Sequence, residues 1–124
     1  MKTLLIPVFL LVAITAQATE IVVEPMRYAS QLCGKVVNPT GAPIPDASVE
    51  LVPCGVDALK GHVLGKRLEV AHTDAKGRFV VFRAWRHNAR TCLSFSRDGF
   101  NDHQFELKYK PDAGPLVVKL TIAA

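Results

Sequence analysis

Apolar and polar residues alternate with a period of two along most of this chain. Leu32, Gly34 and Val36 fall on one face of a first predicted strand, and Ala47, Val49 and Leu51 on one face of a second. That alternation marks half-buried strands. Between them Asn38-Pro39-Thr40-Gly41 predicts a turn, because proline presets φ at the second turn position and glycine accepts a positive φ. Pro43 and Pro45 hold the return path extended and remove two backbone donors. Leu68, Val70 and His72 alternate with Glu69, Ala71 and Thr73, which predicts a third strand. Asp74-Ala-Lys-Gly77 predicts a hairpin turn with Gly77 at positive φ. Phe79 and Val81 enter the core from a fourth strand, and Leu93 and Phe95 from a fifth that starts near Thr91. After an Asp98-Gly99 turn, residues 103–109 alternate Phe105, Leu107 and Tyr109 against Glu106 and Lys108. A turn at 111–115 leads to a closing strand over 117–122. The short Ile21-Val22-Val23 run ends at Pro25 and predicts an edge strand or an arm. Residues 56–65 predict a loop, since Gly61 and Gly65 interrupt any helical turn. No stretch carries a helical period, and the expected inward set is Leu32, Val36, Val49, Leu51, Phe79, Val81, Leu93 and Phe95.

The start of the chain breaks this pattern. Met1-Lys2 is a short basic start, Leu4 to Ile14 is an apolar run, and Ala16-Gln17-Ala18 supplies a small-x-small cleavage pattern. Residues 1–18 are therefore expected to be a secretory signal, too short to span a bilayer. With 124 residues in all, the remainder makes one domain, and no later apolar stretch is long enough to span. The expected product is exported, either periplasmic or secreted. The formal charge of +4 falls by one when Lys2 is removed. Without a dense Lys/Arg stripe interleaved with aromatics, nucleic acid is not an expected partner.

Three spaced motifs carry a family resemblance. Gly34-x-Val36 followed by Gly41-Ala-Pro-Ile-Pro-x-Ala47-x-Val49-x-Leu51 resembles the opening of the carboxypeptidase regulatory-like domains. Thr73-Asp74-Ala75-Lys76-Gly77-Arg78-Phe79 resembles their threonine-aspartate turn, and Leu93-x-Phe95 with Gly99-Phe100 resembles a later strand and its ending. The resemblance covers roughly residues 32–122. It implies an all-β, seven-stranded antiparallel Greek-key sandwich of prealbumin-like (transthyretin-like) type over residues 31–124, with 19–30 as an N-terminal arm or edge strand. Seven strands with turns between them also suit a sandwich on pattern alone. The domain is not itself a peptidase; it occurs as an appended or free-standing module on secreted and outer-membrane proteins. This chain departs from the family at residues 83–90. Arg-Ala-Trp-Arg-His-Asn-Ala-Arg replaces a short proline-glycine turn there, and Thr91 stands where an inward tyrosine is usual.

Three cysteines in an exported chain leave at least one unpaired within the molecule. Cys33 begins the first strand of the domain and Cys54 follows the second. Antiparallel strands would bring both to one pole, and the family topology would start the strand of Cys92 at the other. The expected disulfide is thus Cys33–Cys54, and three buried free thiols are the alternative.

Candidate chemistry is sparse. Histidines at 62, 72, 87 and 103 show no His-x-His or His-x-x-x-His spacing, and there is no Cys-x-x-Cys, so no metal or other cofactor is expected. In sequence terms these are surface or strand-edge histidines. Cys54 and Cys92 lack any local signature of a nucleophile. Two enzymes of similar fold fail on their motifs. His62-Val63-Leu64 echoes the His-Val-Leu of hydroxyisourate hydrolases but falls after the second strand, and the chain ends Leu120-Thr-Ile-Ala-Ala124 without their Tyr-Arg-Gly-Ser. Intradiol dioxygenases need two tyrosines and two histidines on iron, and Tyr28 and Tyr109 lie near opposite ends of the expected mature chain, outside any ligand motif. The strongest local candidate for recognition is the loop around Trp85, the single tryptophan, with Arg83, Arg86, His87 and Arg90. An exposed indole can stack on a sugar, and arginines can pair with carboxylate or phosphate. The bland alternative is that Trp85 covers one end of the core. The expected function is a non-enzymatic, exported module with a structural or interaction role in the bacterial envelope. The alternative is a carbohydrate-binding module like the starch-binding domains. The partner classes implied are an envelope protein or a polysaccharide.

Overall fold

The computed structural model describes residues 19–54, 67–82 and 85–124. The signal-like segment, most of the loop before the third predicted strand, His62 and Arg83 lie outside the described residues. Among the described residues nine strands run in chain order: β1 (Ile21–Val23), β2 (Arg27–Ala29), β3 (Cys33–Val37), β4 (Ser48–Val52), β5 (Leu68–His72), β6 (Arg78–Val80), β7 (Thr91–Ser96), β8 (Asp102–Tyr109) and β9 (Leu116–Lys119). They form two sheets. The larger has the order β1-β8-β7-β4-β5 with β2 also on β8, and the smaller has the order β6-β3-β9. The described residues are all-β, as the alternation predicts. The seven expected strands correspond to β3 through β9, and the 19–30 arm supplies two more. Glu24-Pro25-Met26 divides that arm, where proline cannot donate to the ladder. The expected all-antiparallel pairing is not met: β1 and β2 run parallel to β8, and β3 runs parallel to β9.

The core lies between the sheets. Val36, Phe79, Leu116 and Val118 from the small sheet meet Val49, Leu93, Phe95, Phe105 and Leu107 from the large one. Phe95 sits edge-on to Phe79 and stacks on Phe105, with centroids 5.2 and 5.5 Å away, geometries that aromatic pairs favour. Every expected inward residue is buried except Leu51, which packs half-buried against the cluster. In β5 a register shift between Val49 and Glu50 changes the predicted alternation. Ala71, not His72, pairs with the inward Val49, and His72 turns out to solvent between Asp46 (3.4 Å) and Glu69 (2.8 Å). The predicted turns at 38–41 and 74–77 form: Gly41 N–H donates to Asn38 O and Gly77 N–H to Asp74 O, each at 2.9 Å.

The disulfide is Cys54–Cys92, with Cα atoms 5.4 Å apart, and not the expected Cys33–Cys54. The cause is topological. The chain crosses from one sheet to the other between β3 and β4, so Cys33 pairs with Val80 in the small sheet while Cys54 leaves the large one. Strands β4 and β7 are antiparallel neighbours, with Val52 opposite Cys92. The end of β4 and the start of β7 therefore share one pole, and Cys54 arrives within disulfide reach. Cys33 is the free cysteine.

Candidate functional site

Loop 85–90 connects the small sheet back to β7 and is pinned at its C-terminal end by two links. One is the disulfide at Cys92. The other is a two-point pair from Arg90 to Glu106, at 3.0 and 3.4 Å. The bond to Arg90 holds the Glu106 carboxyl below its usual range and raises the Arg90 guanidinium. A turn closes within the loop, Ala89 N–H donating to Arg86 O at 3.1 Å. Trp85, Arg86, His87 and Arg90 lie in this one loop and make different contacts. Trp85 is half-buried and packs against the core. Its indole nitrogen is sealed from solvent with no hydrogen-bond partner among the described residues. One side of the indole covers the core, and Trp85 also lines, with Arg86 and Arg90, a pocket of about 590 Å³. What the loop presents is His87, stacked face to face on Tyr109 at 3.6 Å and 3°, with Trp85 edge-on to both. Tyr109 was not among the expected site residues. It is the last inward position of β8, after Phe105 and Leu107, and it sits where the sheet outruns the core, so its ring is 37% exposed.

His103 also departs from expectation. It is 3% exposed, because the inward alternation of β8 begins there and not at Phe105. Thr121 N–H donates to His103 Nε2 at 3.0 Å. That nitrogen is therefore the acceptor, and Nδ1 carries the proton that it donates to Glu24 Oε2 at 2.7 Å. Glu24 also accepts from Arg27 at 2.6 Å. The Arg27 guanidinium donates to Val117 O and lies 5.0 Å over the Phe105 ring. This chain of contacts closes the seam between the arm, the large sheet and β9. Among the described residues, no group of three or more His, Cys, Asp and Glu is arranged to hold a metal ion, and no helix is long and apolar enough to cross a membrane.

Two further surfaces stand out. A polar cleft of about 630 Å³ lies at one end of the large sheet and includes Asp46, Ser48, His72, Ser96, Arg97 and Asp102. Burial pushes the Asp102 carboxyl up, Arg67 opposing and Glu50 reinforcing. The second is the outer face of the small sheet, an apolar groove of about 350 Å³ running over Cys33, Val80, Pro115 and Val117. Val80 and Val117 are about half exposed, and Phe82, just past β6, is 91% exposed.

No protein-family model matches the chain, and no curated protein matches it. Among solved structures it is similar to the 3-chlorocatechol 1,2-dioxygenase from Rhodococcus opacus 1CP, at 17% identity and a TM-score of 0.42, over 87% of this chain and 68% of that one. At that level of similarity nothing about this chain's chemistry follows. Tyr28 and Tyr109 are on neighbouring strands but opposite faces, since β2 pairs Tyr28 with Lys108 and Ala29 with Tyr109. Tyr28 is exposed beneath Lys110 Nζ and Tyr109 is covered by His87.

Proposed function

We propose that this chain is an exported, non-enzymatic β-sandwich module, prealbumin-like and akin to the carboxypeptidase regulatory-like domains, with an interaction role in the bacterial envelope. The observation that carries this reading is the outer face of the small sheet. Large apolar side chains there stay open to solvent, a feature that marks contact surfaces. The disulfide is compatible with an oxidising compartment. Site-specific photo-crosslinking in cells tests the reading. A crosslinker at Val80 should yield a discrete protein adduct, and one at Lys108, on the large sheet, should not. No adduct at Val80, or a reproducible catalytic turnover by the purified protein, would overturn it. Fractionation of the same cells should place the protein outside the cytoplasm.

A second reading, carbohydrate binding through loop 85–90, is supported by the exposed His87–Tyr109 stack beside Arg86. On a glycan array it requires a signal that Tyr109→Ala abolishes while thermal stability is retained. Because Trp85 packs inward, Trp85→Ala is expected to destabilise the domain and is the poorer probe.

A further inference from the structure

We propose that the outer face of the small sheet receives an extended protein segment in which acidic and apolar residues alternate; this rests on the interaction-module reading. The pairing register defines that face. Cys33 lies opposite Val80, Lys35 lies between Arg78 and Val117, and Val37 lies opposite Lys119. Residues Phe79, Leu116 and Val118 point into the core, and Val37, on the outward face by register, is itself buried, so the solvent-facing outward positions are Cys33, Lys35, Arg78, Val80, Val117 and Lys119. Three of the six are cations and none is an acid. Asp74 reaches Arg78 from the side at 3.2 Å and offsets its charge, so the uncompensated cations of this face are Lys35 and Lys119.

Apolar floor and cationic rim select the occupant. A second copy of this chain would bring like charges face to face, which is unfavourable. A bilayer surface needs a broad set of protruding apolar groups, whereas Val80 and Val117 are only half exposed beside Lys35 and Arg78, and Phe82, past the end of β6, is a single projecting ring. An extended segment fits, because its side chains alternate at the spacing of the sheet beneath. Its apolar residues would cover Val80, Val117 and the Cys33 side chain, and its carboxylates would meet Lys35 and Lys119.

Cys33 supplies a reporter inside the groove, as the free thiol of the chain. The test measures its alkylation by a neutral maleimide, using the full exported protein. Three probes are compared: a short peptide of alternating Glu and Val, one of alternating Lys and Val, and phosphatidylcholine vesicles containing phosphatidylglycerol. The Glu-Val peptide should slow alkylation by about fivefold at saturation, and the Lys-Val peptide should not. The double variant Lys35→Glu/Lys119→Glu, with unchanged melting temperature, should reverse that preference. Equal protection by both peptides, protection by neither, or protection by vesicles alone would overturn the proposal. If that happens while the Val80 crosslink in cells persists, only the partner chemistry is wrong. If the crosslink is also absent, the module reading falls with it.

Discussion

Gly77 shows how much one position can demand. Its φ is +74°, and a Cβ there would lie 2.7 Å from Val36 O and 2.9 Å from the Pro43 side chain. Gly77→Val therefore meets both backbone strain and a clash, and should destabilise by about 2–3 kcal/mol in a denaturant titration. The turn spacing around Asp74 announced the positive φ, but the clash arises from Val36 and Pro43, which only the folded chain brings near. Glu24 is a second such residue, and nothing in its sequence context marked it. Burial opposes its ionisation, yet the bonds from His103 and Arg27 outweigh burial and hold its carboxyl below the usual glutamate value. A depressed folded pKa contributes stability above the unfolded value, about 4.3, and that contribution is lost as pH falls through the folded pKa. Glu24→Gln should cost about 2 kcal/mol at neutral pH. Below about pH 4.3 the gap between the two proteins should narrow in thermal melts. A gap that stays constant with pH would show that the carboxylate charge plays no part.

The links between elements are where the strand predictions and the structure diverge most. Each strand from β3 to β9 is recognisable from its own alternation, because an inward and an outward face need different residues. Which strand lies beside which is not recorded in that alternation, and the disulfide depends on it. The Cys54–Cys92 bond joins the end of β4 to the start of β7 across a sequence separation of 38. In the chain-entropy model a loop of that size contributes roughly 4 kcal/mol. Reduction should lower the melting temperature sharply, while Cys33→Ser should leave it nearly unchanged. Thiol counting on oxidised protein should find only Cys33, and peptide mapping should recover a Cys54–Cys92 fragment. Loop 85–90 hangs from the same pole. Its cluster of candidate residues was legible as a departure from a family pattern, but Tyr109, contributed by β8, completes the stack across the fold.

At the scale of the whole molecule, the two sheets differ in what they expose. The large sheet has a polar outer row, Glu50, Ser94 and Gln104 lying abreast on β4, β7 and β8, but Ser94 and Gln104 are buried. The small sheet turns Val80 and Val117 out to solvent beside Lys35 and Lys119, and those half-exposed valines are what the interaction reading rests on. The sequence alone determined the all-β class, the turns at residues 38–41 and 74–77, and the inward residues. These are local consequences of side-chain period and of proline and glycine geometry. The tertiary structure decided the parallel pairing of the arm with β8, the burial of His103, the partner of Cys54 and the groove over Cys33. Each depends on residues far apart in the chain, and strand alternation specifies a face but not the neighbour that the face will meet.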